Sequence, residues 1–364
     1  MRTDLFDYEL PRELIAAAPA ERREESRLLV LHRGGGGRTE HRRFADIGDY
    51  MLPGDLLVVN DSRVLRARLR GVREATGGAV ELLLLERMAS PDMPDFRDSW
   101  SAMARPAKRM RVGEELSFGT SPDGLRARVI AEGEGGVRVV EFDTPDMMPW
   151  LDRLGEMPLP PYIEQRRKEM ALAGERLDVN DAERYQTVYA REGGSVAAPT
   201  AGLHFTPELL ASLKSRGLQM TSVTLHVGPG TFKPVETESV EDHPMHSERF
   251  SITPEAAEAV NAARREGRRV VAVGTTAVRT LESAAGTTDS GLIQPGSCDT
   301  RLLITPGYRF RVVDALITNF HLPCSTLLML VSAMAGHEAV MEAYREAVRE
   351  QYRFYSYGDA MLIV

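Results

Sequence analysis

Residues 270–285, VVAVGTTAVRTLESAA, decide how the rest of the chain is read. Val270–Val273 is a short apolar run that reads as a strand. Gly274 supplies a tight turn, and Ala277, Val278, Leu281 and Ala285 then recur at helical spacing. Strand, glycine turn and helix in succession form the repeating unit of an α/β fold. The same pattern extends outward in both directions. PEAAEAVNAARREG (254–267) predicts a helix leading into the strand RRVVAV (268–273). TPELLASLKSRG (206–217) carries Thr206 as N-cap, Pro207 at the first helical position and Gly217 as the stop, and the strand MTSVTLHV (220–227) follows. Near the start, PRELIAAA (11–18) predicts a helix and SRLLVLHR (26–33) a buried strand. Gly34–Gly37 lacks a following Lys-Ser/Thr and reads as a hairpin connection rather than a phosphate loop.

Between Asp55 and about Phe142 the texture changes. Short alternating runs such as VLRARLRGV (64–72), AVELLLLER (79–87), LRARVIAE (125–132) and GVRVVEF (136–142) are separated by glycine-rich turns. This is the signature of a small β barrel or sandwich. The expected architecture is an α/β main domain, a mixed sheet or barrel with surrounding helices, built from residues 1–54 and 149–364. A small all-β, barrel-like domain over residues 55–148 interrupts it.

A chain of 364 residues with 43% hydrophobic and 27% charged residues fits two globular domains. The most apolar stretch, Leu327–Ala335, is too short to cross a bilayer and predicts one buried helix. The opening MRTDLFDYELP holds three acids and no apolar run, unlike a signal peptide. Cys298 and Cys324 lack metal-type spacing. A reduced, cytoplasmic protein is expected. The net charge of −8 excludes a wholly cationic nucleic-acid binder but leaves room for a local basic face. Three basic groups stand out: Arg63, Arg66, Arg68, Arg70 and Arg73; Arg105, Lys108, Arg109 and Arg111; and Arg166, Arg167 and Lys168. Each is either a phosphate-tracking surface or a solvated face.

Five of the eight histidines, His204, His226, His243, His246 and His321, fall in polar stretches of the second half. Thr275 and Thr276 open a helix whose exposed N–H groups suit a carboxylate or phosphate, unless they are simply caps. Arg279, one turn on, could clamp such an anion or pair with Glu282. In HVGPGTF (226–232), Gly228 and Gly230 permit close approach to a ligand and Phe232 offers a stacking face, or the segment is a turn between strands. His243 and His246 beside Asp242 and Glu248 resemble metal ligands, yet Pro244 breaks the helix that would align them. Acid–base work or substrate hydrogen bonding suits these two better. His321 next to Asn319 places two polar groups among apolar neighbours, and both need partners.

Taken together the motifs carry a family resemblance. FDYELPRELIA (6–16), LPGDLLVVNDSRVLRARLRG (52–71), MPLPPYI (157–163), RYQTVYA (184–190) and VAAPTAGLHF (196–205) are followed in order by LHVGPGTFKPV (225–235), AVGTTAVRTLES (272–283), TNFHLPCSTLLMLVSAMAG (318–336) and RFYSYGDAMLI (353–363). From end to end the chain resembles the S-adenosylmethionine:tRNA ribosyltransferase-isomerases of queuosine biosynthesis. The resemblance implies transfer of the ribosyl part of S-adenosylmethionine to 7-aminomethyl-7-deazaguanine at tRNA position 34. Rearrangement then yields epoxyqueuosine, and adenine and methionine leave. It implies a cytoplasmic monomer whose partners are a tRNA anticodon stem-loop and S-adenosylmethionine as co-substrate, with no metal, separate cofactor or membrane. On this likeness Tyr185, Gln186, Thr200, Gly228, Gly230, Phe232, Thr275, Thr276, Arg279 and Asn319 are expected to bind substrate. The five histidines are expected to supply base and acid, their roles unassigned, and Arg63, Arg66, Arg68, Lys108 and Arg109 to meet RNA backbone. Two readings of other classes stay open: a small-molecule metalloenzyme built on His243 and His246, and a non-catalytic RNA-binding module built on the β insertion.

Overall fold

The computed structural model, which describes residues 1–33, 36–88, 97–120, 124–228, 235, 237–286 and 291–364, places Val270–Val273 inside a nine-stranded sheet. Along the chain the strands are β1 (Arg27–Leu31), β2 (Thr39–Arg43), β3 (Leu56–Asn60), β4 (Ser62–Val64), β5 (Arg68–Arg73), β6 (Ala79–Arg87), β7 (Asp98–Arg105), β8 (Glu115–Phe118), β9 (Leu125–Glu132), β10 (Val137–Phe142), β11 (Glu192–Ser195), β12 (Gln219–Leu225), β13 (Glu248–Ile252), β14 (Val270–Val273), β15 (Gly296–Thr300), β16 (Ala315–Asn319) and β17 (Ala360–Ile363). The α-helices are α1 (Met148–Leu154), α2 (Pro161–Leu172), α3 (Asp181–Arg184), α4 (Pro207–Ser215), α5 (Pro254–Arg265), α6 (Thr275–Gly286), α7 (Thr326–Ala335) and α8 (His337–Arg349). Two units result: residues 1–62, 160–192 and 198–364, and residues 63–159 with 193–197.

In the first unit the sheet order is β15-β13-β12-β3-β14-β16-β17-β1-β2. Its middle, β12-β3-β14-β16, is parallel, and β17 runs antiparallel to β16 but parallel to β1. Alternate residues of the strands (Leu28, Leu57, Val59, Val271, Val273, Ile317 and Leu362) share one core with Phe44, Phe205 and Leu213. Their neighbours Leu56, Val58, Ala272 and Leu316 point the other way and are equally buried. Coverage on both faces explains why these strands read as unbroken apolar runs rather than alternating ones. Each fully buried Leu, Ile or Val contributes roughly 1.5–3 kcal/mol.

Helix starts follow the sequence signals. The Thr206, Thr253 and Ser325 side chains accept from Leu209, Ala256 and Leu328 N–H, opening α4, α5 and α7. Gly274 has φ +87°, a region open to glycine, and this lets β14 turn directly into α6. The N-terminal helix expected over 11–18 is absent. Only Arg12–Leu14 makes a 3₁₀ turn, because the backbone beyond is engaged by Phe354, whose N–H donates to Leu14 O at 2.8 Å and whose carbonyl accepts from Ala16 N.

In the second unit six strands close into a barrel in the order β10-β7-β6-β5-β8-β9. Val80, Leu82 and Leu84 on β6, and Leu125, Ala127 and Val129 on β9, fill its interior with Phe118, Phe142 and Trp100. Closure leaves no unpaired sheet edge, the usual hazard of a small β unit. The domain boundaries differ from the expected 54/55 and 148/149. β3 is hydrogen-bonded between β12 and β14, so residues 55–62 belong to the larger unit. α1 belongs to the barrel, whose core takes in Met147 and Leu151. β4 and β11 form a two-stranded sheet of their own.

Candidate active site

In open sheets with parallel strands, ligands bind outside the carboxyl ends of those strands. Here the ends of β12, β14 and β16 bring Val227, Gly274–Thr276 and Thr318–Leu322 around an open cleft of ≈ 650 Å³. Tyr162 on α2, the segment Ala198–Ala201, Ser325 at the start of α7, and Tyr355 with Ser356 complete its walls.

The polar groups of the cleft are fixed by one another. Thr200 Oγ1 donates to Asn319 Oδ1 at 2.9 Å, and Asn319 Nδ2 lies 3.2 Å from His204 Nε2. His321 Nε2 is 2.8 Å from Thr318 Oγ1, its N–H donates to the Tyr344 hydroxyl, and its carbonyl accepts from the Tyr8 hydroxyl. Burial pushes the His321 pKa down to about 3 and that of His204 to about 4. Both rings are therefore uncharged at neutral pH. The N-terminus of α6 faces the cleft with Thr275 and Thr276, and the Thr276 hydroxyl is buried without a hydrogen-bond partner among the described residues. Tyr162 and Tyr355 pack at 4.7 Å between ring centroids, and the Tyr162 and Ser356 hydroxyls are hydrogen-bonded. Tyr355 is held at φ +72°, an uncommon conformation for a non-glycine residue.

Of the expected site residues, Thr200, Thr275, Thr276, Asn319 and His321 converge on this cleft. His204 stands one hydrogen bond behind it, through Asn319. Tyr185 is wholly buried, and neither it nor Gln186 is part of the lining. Arg279 is also outside the lining. Its partner is Glu248, not Glu282, and its Nε–H donates to Leu302 O at 3.1 Å. Glu248 also accepts from Gly228 N–H, so Arg279 tethers the segment after β12 from within. Glu282 instead receives the backbone N–H groups of Arg311, Val312 and Val313. His226, beside the cleft residue Val227, has a buried Nδ1 without a partner among the described residues, and burial lowers its pKa. His243 is half-buried and His246 exposed, and neither lines the cleft. Gly230 and Phe232 lie outside the described residues. Among the described residues no group of three His, Cys, Asp or Glu is placed to hold a metal ion. No described helix is long and apolar enough to cross a membrane.

Among the cleft residues that escaped the sequence reading are Tyr162, Thr318, Tyr355 and Ser356. Tyr162 and Tyr355–Ser356 lie within MPLPPYI and RFYSYGDAMLI, but nothing local marks them as neighbours.

The basic groups of the barrel also divide. Arg63, Lys108 and Arg109 are exposed. Arg68, expected to meet RNA backbone, is buried, with Nη2 donating to Leu159 O at 3.1 Å, because the segment Glu156–Leu159 pairs with that end of β5. Arg66 donates to Asp152 O, and Arg70 is paired with Glu81 and Glu156.

A family described as queuosine biosynthesis protein matches residues 3–363. The chain is 53% identical over its full length to an S-adenosylmethionine:tRNA ribosyltransferase-isomerase of Symbiobacterium thermophilum, also covered in full. A protein of that name from Moorella thermoacetica is 54% identical, again with both chains fully covered. A crystal structure of an S-adenosylmethionine tRNA ribosyltransferase from Thermotoga maritima is 40% identical, with a TM-score of 0.53, covering 99% of this chain and 100% of that one.

Proposed function

This chain belongs to the queuosine biosynthesis protein family, and on that premise we propose that it is a transferase–isomerase that builds the queuosine precursor on tRNA. In this reading it moves the ribosyl part of S-adenosylmethionine to the amine of 7-aminomethyl-7-deazaguanine at position 34, with isomerisation to epoxyqueuosine and loss of adenine and methionine. The observation that carries it is unbroken similarity, at about half of all positions, to relatives named for this activity. A cleft at the carboxyl ends of parallel strands, where ligands bind in such sheets, supports the reading.

The methionine carboxylate seats at the start of α6, where free N–H groups, the helix dipole and the unpartnered Thr276 hydroxyl meet. The sulfonium acidifies the adjacent C5′ hydrogens, and a base must take one. His321 is suited to that position. Its ring lines the cleft, is oriented by Thr318, and carries no positive charge that would repel the sulfonium. Asn319, held by Thr200 and His204, offers a fixed amide for sugar or base hydroxyl and amine groups. The nucleotide at position 34 must leave its stack to reach these groups.

Incubation with S-adenosylmethionine and an anticodon stem-loop bearing the aminomethyl base should release adenine, measured by chromatography. A stem-loop with guanine at that position should release none above background. Equal release from both would identify a nucleosidase instead.

A further inference from the structure

Behind His204 a second, smaller hollow opens on the first unit, lined by Arg23, Arg184, Ser26, His204 and Ser356 among others. No carboxylate is among its lining residues. Arg23 donates to the carbonyls of Leu203 (2.9 Å) and Glu183 (3.0 Å). Arg184 donates to those of Ala20 (2.6 Å) and Glu21 (3.1 Å). Among the described residues neither guanidinium has an ion-pair partner, and the buried Arg184 Nε has no acceptor. Elsewhere in the chain Arg279 meets Glu248 and Arg167 meets Asp181 through two hydrogen bonds. Burial first, and then repulsion by the like charge of Arg184, lowers the Arg23 pKa, against a smaller opposing pull from Glu183. Their backbone bonds nevertheless fix both forks in place, so an incoming anion would not have to order them.

We propose that Arg23 and Arg184 form an oxoanion site that takes a phosphate group. A phosphate offers several acceptor oxygens to two planar forks and removes their mutual repulsion. Ser356 lines both this hollow and the cleft, so the phosphate bound here lies beside the site of chemistry. Resting on the proposed function, the backbone phosphate of an anticodon loop whose nucleotide enters the cleft is one source. Free inorganic phosphate is the other.

Two arms separate the sources, using the full chain and the variants Arg23→Gln and Arg184→Gln. Inorganic phosphate should raise the thermal midpoint of the wild type and leave that of each variant unmoved. Anticodon stem-loop binding should show a slope of log K against log salt shallower by about 0.7 in each variant, the share of one phosphate on a single strand. A response to inorganic phosphate with unchanged RNA slopes assigns the site to free phosphate. If a Gln variant fails to fold, Arg184→Lys keeps the charge and should retain a weakened phosphate response. Wild type and variants alike in both arms overturn the site. Adenine release by wild type with saturating stem-loop, measured alongside, reports on the enzymatic reading independently.

Discussion

His204 is 4% exposed, with its Nε2 turned to Asn319, and burial takes its pKa from 6.5 to about 4. Between those two values the unfolded chain binds a proton that the folded chain refuses. This ring's contribution is therefore whole above about pH 6.5. It is lost as the pH falls towards about 4, by up to roughly 3 kcal/mol. His204→Gln should flatten the dependence of the thermal midpoint on pH between those limits, whatever it does to the midpoint at pH 7. A profile as steep as the wild type's would place the acid-sensitive group elsewhere. Arg279 offers a second test. With side chains 8% and 5% exposed, Arg279 and Glu248 form a buried pair, and removing one leaves the other charge uncompensated. Arg279→Ala should cost about 3–5 kcal/mol in denaturant unfolding. Unfolding at wild-type denaturant concentration, with weaker S-adenosylmethionine binding alone, would return this residue to a ligand contact. The sequence suggested Glu282 as partner because it lies three residues on, and an acid on β13 leaves no mark at that distance in the chain. For the same reason Tyr162 and Tyr355 could be quoted as motif residues without their packing being visible.

β14, Gly274 and α6 show what short-range signals can establish. The strand, the turn and the helix were all legible, because apolar period and glycine placement act over a few residues. So were the capped start of α4 and the alternation of the barrel strands. The segment 11–18 was not legible, since a partner at Phe354 claims hydrogen bonds that a helix would have kept. Nor was the place of β3, whose apolar run suits the edge of a barrel as well as the middle of a sheet. The start of α6 is the most consequential local structure. A Cβ on Gly274 would meet only ordinary neighbours, Thr276 Oγ1 at 3.5 Å and Ala201 Cβ at 3.7 Å, so the cost of Gly274→Ala is the backbone conformation itself. That cost is about 1–2 kcal/mol. The variant should unfold earlier by that amount and bind S-adenosylmethionine more weakly by calorimetry, because the N–H groups of the first turn move. Unchanged stability and affinity would show that the turn tolerates a side chain and does not seat the ligand.

Over the whole molecule the net charge is −8, so attraction for RNA has to be local. On the barrel, Lys108 and Arg109 are exposed, whereas Arg68 is buried and Arg70 is paired. Lys108→Glu with Arg109→Glu should weaken stem-loop binding and lower the salt slope by about 0.7–0.9 for each phosphate that is no longer bound. Affinity for S-adenosylmethionine should hold. Equal RNA affinity and slope would make this surface a solvated face only. The sheet carries a consequence of a different kind. β17 is hydrogen-bonded between β16 and β1, pairing Leu28 with Ala360 and Asn319 with the same residue. During synthesis β1 is made early and must wait, its apolar residues unshielded, until nearly the whole chain has followed. The barrel strands, neighbours in sequence as well as in space, can close long before that. A nascent chain would then pass through a stage with a finished barrel and an unfinished sheet, and that open sheet is where a chaperone or a protease would find its hold.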